Sequence, residues 1–303
     1  MQNTPSVSVF THLFAALFVA SSAGASAQTL DIKTPEGQLQ TVVKMRANTL
    51  GTDVFADWRI TAWAAIPGQR PTPLFRLDGF NVGRMERQAD GGYMFLSREV
   101  GYYRDVTTGA ILNKWNNPFT KEVNDVLHVA NDPVNIPFEP SSKPGARRPP
   151  MEQLRDQVFL RMDIPLQYPN PINPRDYPAE STGDTYIASE HFTYIAKAAD
   201  IANPALTSAP TQYAWTRIGP WLPWMKMGKT AGHVIYVGYG TKLASASELE
   251  SEILAHTKQF YPEYLKSPDK FTRPNATSWS HYRKMRPPAS SAEPAAAPAT
   301  PRP

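Results

Sequence analysis

Cysteine is absent from all 303 residues, which excludes thiol nucleophiles, disulfides and zinc–thiolate centres. Nucleotide-binding signatures are missing too. No Walker-type phosphate loop occurs, and Gly238-Tyr239-Gly240 lacks both the third glycine and the βαβ setting of a dinucleotide fingerprint. There is no GxSxG elbow, no HExxH pair and no EF-hand loop. Any chemistry is therefore expected to proceed without a cofactor, and no close ligand spacing predicts a metal site. Beyond residue 27 no apolar run is long enough to cross a bilayer.

Charge is missing from one place in particular. Residues 1–27 contain no Lys, Arg, Asp or Glu, and Val7 to Ala20 is mostly apolar. A small-residue stretch ends in Ala25-Ser26-Ala27, the form a signal peptidase cuts, after an apolar region too short to span a membrane. The n-region lacks the usual Lys or Arg. The expectation is a signal peptide over 1–27 and a periplasmic or secreted protein. At the other end, 287–303 is almost entirely Pro, Ala, Ser and Thr and is expected to be a disordered tail. Residues 28–286 remain as one expected β-rich domain, large enough to fold on its core without a covalent staple.

Aromatic residues are plentiful: 7 Trp, 13 Tyr and 13 Phe can supply that core. The net charge of +4 weakly favours anionic partners, but the basic residues are dispersed and leave no nucleic-acid footprint.

Thr34-Pro35 has the form of a helix start, and Leu39, Val42, Val43 and Arg46 follow at helical spacing. Short strand-like segments then alternate with turns from Trp58 to Val129. The turns are Pro67-Gly68, Asp90-Gly91-Gly92, Thr107-Thr108-Gly109, Asn116-Asn117-Pro118 and Asn131-Asp132-Pro133. Links too short for a crossover helix force antiparallel neighbours, hence a meander. Residues 139–157 and 165–184 read as Pro-rich connections. Further strands are expected at Val158–Met162, Thr185–Tyr194, Gln212–Arg217 and His233–Tyr239. Eight or nine strands suit a mainly β (β-rich α+β) fold in which the antiparallel meander closes into a barrel; a two-sheet sandwich is the alternative. Ser247 to Glu250 has capping-box spacing, and Leu249, Ile253, Leu254, Thr257 and Phe260 form one face of a C-terminal helix expected against the wall.

The segment His128 to Asn135 offers an imidazole and a carboxylate near a strand end. His128 is the candidate acid or base, with Asp132 or Glu190 orienting it. The competing reading is structural, since Asn131-Asp132-Pro133 makes a good turn. Glu190 and His191 are adjacent on a strand, so only one can face a lumen. Glu190 inside would need a partner such as Arg217 or Arg84. Those arginines are also candidates to hold developing negative charge, and Tyr103, Asn116 and Asn117 to position a substrate. Trp221 to Gly228 carries Trp221 and Trp224 as an adaptable contact surface, or else as a plug for one barrel end. A membrane-docking role for this segment is a third reading.

Taken together, these stretches resemble the domain-of-unknown-function 1838 family, DUF1838, whose members are often exported. The matching residues are Arg46 to Gly51, Phe80 to Arg84, Tyr103-Arg104-Asp105 with Thr108-Gly109, and Trp115 to Thr120. His128 to Asn135, Pro169-Asn170-Pro171, Trp215-Thr216-Arg217, Trp221 to Gly228, Gly240 to Leu243 and Tyr261-Pro262 extend it. Trp115 and Asn131 join the candidate binding residues through these segments. His191 stands where the resemblance implies an apolar residue. The family carries no established activity, so the resemblance implies one domain over roughly 35–282 and no mechanism.

Three expectations follow, two of them built on one cavity. One is a cofactor-independent hydrolase, lyase or isomerase acting on an apolar or aromatic small molecule around His128. The other is a non-enzymatic carrier barrel of lipocalin type using the same cavity. An envelope interaction protein is a third.

Overall fold

The structure is a computed structural model describing residues 31–288. The leader-like stretch and residues 289–303 of the Pro/Ala-rich tail lie outside the described residues.

Helix α1 (Pro35–Arg46) starts as the sequence indicates: the Thr34 hydroxyl accepts from the Gly37 N–H at 3.0 Å, with Pro at the first position. Long strands follow as β1 (Val54–Ala65), β2 (Thr72–Arg87) and β3 (Tyr93–Arg104). Four fragments come next: β4 (Lys114–Asn116), β5 (Val123–Asp125), β6 (Val129–Asn131) and β7 (Ile136–Phe138). A hairpin, β8 (Met151–Leu154) and β9 (Gln157–Pro169), leads into β10 (Thr185–Lys197) and the short α2 (Ala198–Ala202). The chain ends with β11 (Gln212–Gly219), β12 (His233–Leu243), α3 (Ser251–Phe260) and α4 (Ser278–Met285).

All pairings are antiparallel. The main sheet has ten strands in the order β6-β3-β2-β1-β12-β11-β10-β9-β8, with β7 also on β3, while β4 and β5 pair separately. The expected barrel is therefore corrected: the sheet curls but does not close, since no ladder joins β6 or β7 to β8 or β9. Both ends explain this physically. Pro137 interrupts β7 and Pro165 lies within β9, and a strand containing proline cannot offer a full row of N–H donors to a further neighbour. The second proline-rich connection also begins later than expected, because β9 runs on to Pro169.

Alternation along each long strand separates two faces. The convex face of β2 and β3 carries Phe80, Val82, Val100 and Tyr102, packed with Phe55 of β1 against Leu249 and Ile253. Helix α3 thus lies on the outer wall. The buried Arg104 fastens it there, reaching Glu252 at 2.7 Å, Glu250 at 3.2 Å and Asp78 at 3.3 Å. The capping box of this region is Ser245 with Glu248, ahead of a 3₁₀ turn, rather than one starting at Ser247. Phe260, expected on the packed face, is 54 % exposed.

The concave face has two packed ends. At one, Leu39, Val42 and Val43 of α1 meet Val54, Met85, Phe95, Leu160 and Tyr194. At the other, Trp115, Trp221, Trp224 and Met225 gather with Phe75, Tyr103, Val234 and Trp279 of α4.

Candidate functional site

Between these packed ends lies a cavity of about 840 Å³. Strand alternation builds its wall. Trp58 and Ile60 come from β1, Leu77 from β2, Phe95 and Tyr103 from β3, Ile164 and Leu166 from β9, Phe192 from β10 and Trp215 from β11. Trp58, Ile164, Leu166, Phe192 and Trp215 are only half-buried although they face inward. Trp58 has room because Gly79 and Gly101 sit opposite one another in the β2–β3 ladder. A Cβ on Gly79 would lie 2.2 Å from the Val100 carbonyl oxygen and 2.9 Å from Trp58 Nε1. Residues Pro274 to Ser280, leading into α4, span the gap between the two ends of the sheet. This segment is tied to the β6–β7 side: Ala276 N–H donates to the Pro133 carbonyl at 2.8 Å, and Asn275 exchanges two bonds with the Asn135 backbone, each 2.9 Å. Among the described residues no backbone hydrogen bond joins it to β9.

Four charged side chains line this apolar space: Arg46, Glu99, Glu190 and Arg217. Arg217 Nε lies 3.2 Å from Glu190 Oε1, an ion-pair contact whose angle falls outside hydrogen-bond geometry. Its Nη2 donates to the Tyr186 hydroxyl, and its guanidinium stacks 5.4 Å from the Tyr236 ring centre and 5.1 Å from that of Trp279. Burial pushes the phenols of Tyr168, Tyr186 and Tyr236 up, so they remain protonated donors.

Glu99 accepts from Asn131 Nδ2 at 2.5 Å. Burial pushes its carboxyl up to about 7; the Asn131 bond opposes this, Glu190 adds to it, and Arg217 opposes it more weakly. The side chain lies deep within the protein yet keeps accessible surface, and that surface opens onto the cavity.

Of the residues expected from sequence, the structure brings Tyr103, Asn131, Glu190 and Arg217 to this cavity. Glu190 faces inward with Arg217, as its pairing requires, while His191 points outward and meets Asp163 at 2.9 Å. His128 lies elsewhere. Its ring is buried on the convex side of β3, with centres 5.4 Å from Tyr102 and 6.2 Å from His256 of α3, and its Nδ1 accepts from the Tyr103 N–H at 3.2 Å. Burial, reinforced by His256, lowers its pKa to about 4. The physical reason is parity: Val129 and Asn131 face the cavity, so position 128 faces away.

Asp132 pairs with Arg98 at 3.0 Å, away from the cavity. Arg84 holds the chain at Ser267 to Asp269, donating to the Ser267 hydroxyl at 2.6 Å. Asn117 donates to the Met225 carbonyl at 3.0 Å and turns the loop after it, whereas Asn116 is exposed. Trp115, Trp221 and Trp224 are buried in the packed end, which favours the plug reading of the Trp-Met segment. Glu99, Arg46, Trp58, Trp215 and Tyr186 do not stand out in the sequence as cavity residues. A signal for Glu99 exists: it shares the face of Phe95, Ser97 and Tyr103 in a strand whose inward positions are otherwise uncharged.

Among the described residues, no group of three His, Asp or Glu is placed to hold a metal ion. No helix there is long and apolar enough to cross a membrane. A family model described as "Protein of unknown function (DUF1838)" matches residues 51–286. No curated protein matches the chain.

Proposed function

We propose, for a chain that belongs to the DUF1838 family, that the concave face of the sheet binds a medium-sized, largely apolar or aromatic small molecule. The observation that carries this reading is the cavity itself: about 840 Å³, walled by half-buried Trp, Phe, Ile and Leu, with a few polar groups converging on it. Ligand sites have this composition, an apolar wall that supplies affinity and sparse polar groups that fix orientation. The uncharged apolar stretch ending in Ala25-Ser26-Ala27 supports a periplasmic or secreted site for this activity.

One experiment tests both parts. The chain is expressed with its leader, fractionated, and analysed by native mass spectrometry. A periplasmic species starting at Gln28 and carrying a non-covalent small molecule is the expected result. Ile164→Arg, which puts a charge into the wall, is expected to lose that molecule while keeping its far-UV spectrum. Retention of the molecule by Ile164→Arg would place it elsewhere on the protein.

A second reading, catalysis, is favoured by Glu99. A carboxyl titrating at about 7, with Glu190 and Arg217 facing the same cavity, can both give and take a proton near neutrality. This moves the acid–base role from His128, which the fold directs away from the cavity, to Glu99, and it requires no cofactor. Glu99→Gln preserves shape and removes the titrating proton. With a ligand identified as above, the expectation is unchanged binding and turnover reduced at least about 100-fold, within the usual contribution of such a group. Turnover by Glu99→Gln at the wild-type rate rejects catalysis by this residue and leaves the carrier reading.

A further inference from the structure

Arg46 is the last residue of α1 and, among the described residues, one of the four charged side chains that line the cavity. Its guanidinium stacks 4.9 Å from the Phe95 ring centre and 5.0 Å from that of Tyr194. Nη1 donates to the Tyr194 hydroxyl and approaches Met162 Sδ at 3.5 Å. The contrast with Arg217 is informative. Arg217 has Glu190 beside it, whereas no carboxylate among the described residues lies within ion-pair distance of Arg46. Its Nε is buried without a hydrogen-bond partner. Aromatic stacking compensates part of the cost of holding this charge away from water, and it also fixes the plane of the guanidinium.

An arginine is charged at all relevant pH values and presents its donors as a planar fork suited to carboxylates. Here Nη1 is held by Tyr194 and Met162, Nε is buried out of reach of the cavity, and Nη2 has no acceptor among the described residues. The charge count over the whole cavity agrees. Arg46, Arg217 and Glu190 sum to one positive charge while Glu99 keeps its proton, which it does below about pH 7.

We propose that the ligand carries a carboxylate, docked on Arg46 at the α1 end, with its apolar body lying along Trp58, Ile164 and Trp215. This rests on the cavity-binding reading above and adds the charged class of the ligand.

The test uses two fluorescent probes with one aromatic body, 1-pyrenebutyrate and the neutral 1-pyrenebutanol, titrated into the full chain at pH 6.0. Wild type is expected to prefer the carboxylate at least fivefold. Arg46→Met is expected to abolish that preference while leaving the alcohol's affinity within twofold. Arg46→Lys keeps the charge but loses the fork, and should retain only part of the preference. If Arg46→Met fails to fold, Arg46→Lys decides: the full wild-type preference there overturns the proposal, and a reduced one supports it. Equal binding of both probes by wild type, or a preference unaffected by Arg46→Met, also overturns it and leaves apolar binding standing. If neither probe binds wild type, the cavity-binding reading itself fails, and this proposal fails with it.

Discussion

Two buried titrating residues on opposite faces of β3 act on stability in opposite directions. Glu99 is pushed up to about 7 and the unfolded carboxyl titrates near 4.5, so between those values the folded state holds the extra proton. Its contribution is complete below about pH 4.5 and is lost as pH rises through 7. His128 is lowered to about 4 against an unfolded value of 6.5, so over that window the unfolded state holds the extra proton. Its contribution is present above pH 6.5 and is lost as pH falls through 4. Each amounts to roughly 3 kcal/mol at most, because a tenfold change in proton affinity is worth about 1.4 kcal/mol. The two largely cancel between pH 4.5 and 6.5 in wild type, and single variants should unmask them. Urea denaturation of Glu99→Gln is expected to show stability rising with pH across that interval, and His128→Gln stability falling. Parallel profiles for the two variants would contradict the assignment. At this scale the sequence is half legible. Glu190 and Arg217 can be paired by argument from the cost of a buried charge. His128 is misplaced by such reasoning because a one-residue shift in strand start reverses the face of every side chain after it.

Elements are more legible than residues. The Thr34-Pro35 start, the β1–β3 meander and strands β10 to β12 lie close to where turn chemistry and alternation put them, whereas β9 runs on from the expected Met162 to Pro169 and β8 forms inside the expected connection 139–157. Helix α4 escapes notice because its eight residues carry only Trp279 and Tyr282 inward, too few to show a period. The attachment of α3 is half visible: its apolar stripe is readable, but the Arg104 link to Asp78, Glu250 and Glu252 joins residues up to 174 apart in sequence. That link has a measurable consequence. Arg104→Leu removes the cation from Glu252, leaves Glu250 with only Arg59 at 3.5 Å, and leaves the buried Asp78 with only Arg76 at 2.5 Å. A loss of about 3 kcal/mol is expected on breaking such a pair, read from urea unfolding. A change under about 1 kcal/mol would mean that apolar packing and the Tyr102–Thr257 hydrogen bond at 2.7 Å hold α3 without help from Arg104.

At the level of the whole molecule, strand count and antiparallel order are readable, but closure is not. Closure depends on whether the first and last strands meet, and what opposes it is a pair of prolines that look like loop residues in the sequence. The open side implies uneven local stability. Amides of β1, β2 and β12, laddered on both sides, are expected to exchange slowest, and those of 161–169 and 274–280 faster. Hydrogen exchange followed by mass spectrometry reads this directly, and a bound ligand should slow the second group. Uniform protection across all these segments would show the gap to be as firmly held as the sheet. A closed barrel admits guests only through its rim, so the rim's width limits what enters. Here the segment before α4 is hydrogen-bonded to the β6–β7 side and meets the other side through side chains, Trp279 against Tyr186 at 4.8 Å, so under the binding proposal a guest passes sideways without any ladder parting. Under that proposal residues 272–280 set how long the guest stays, apart from the framework that shapes the binding chamber.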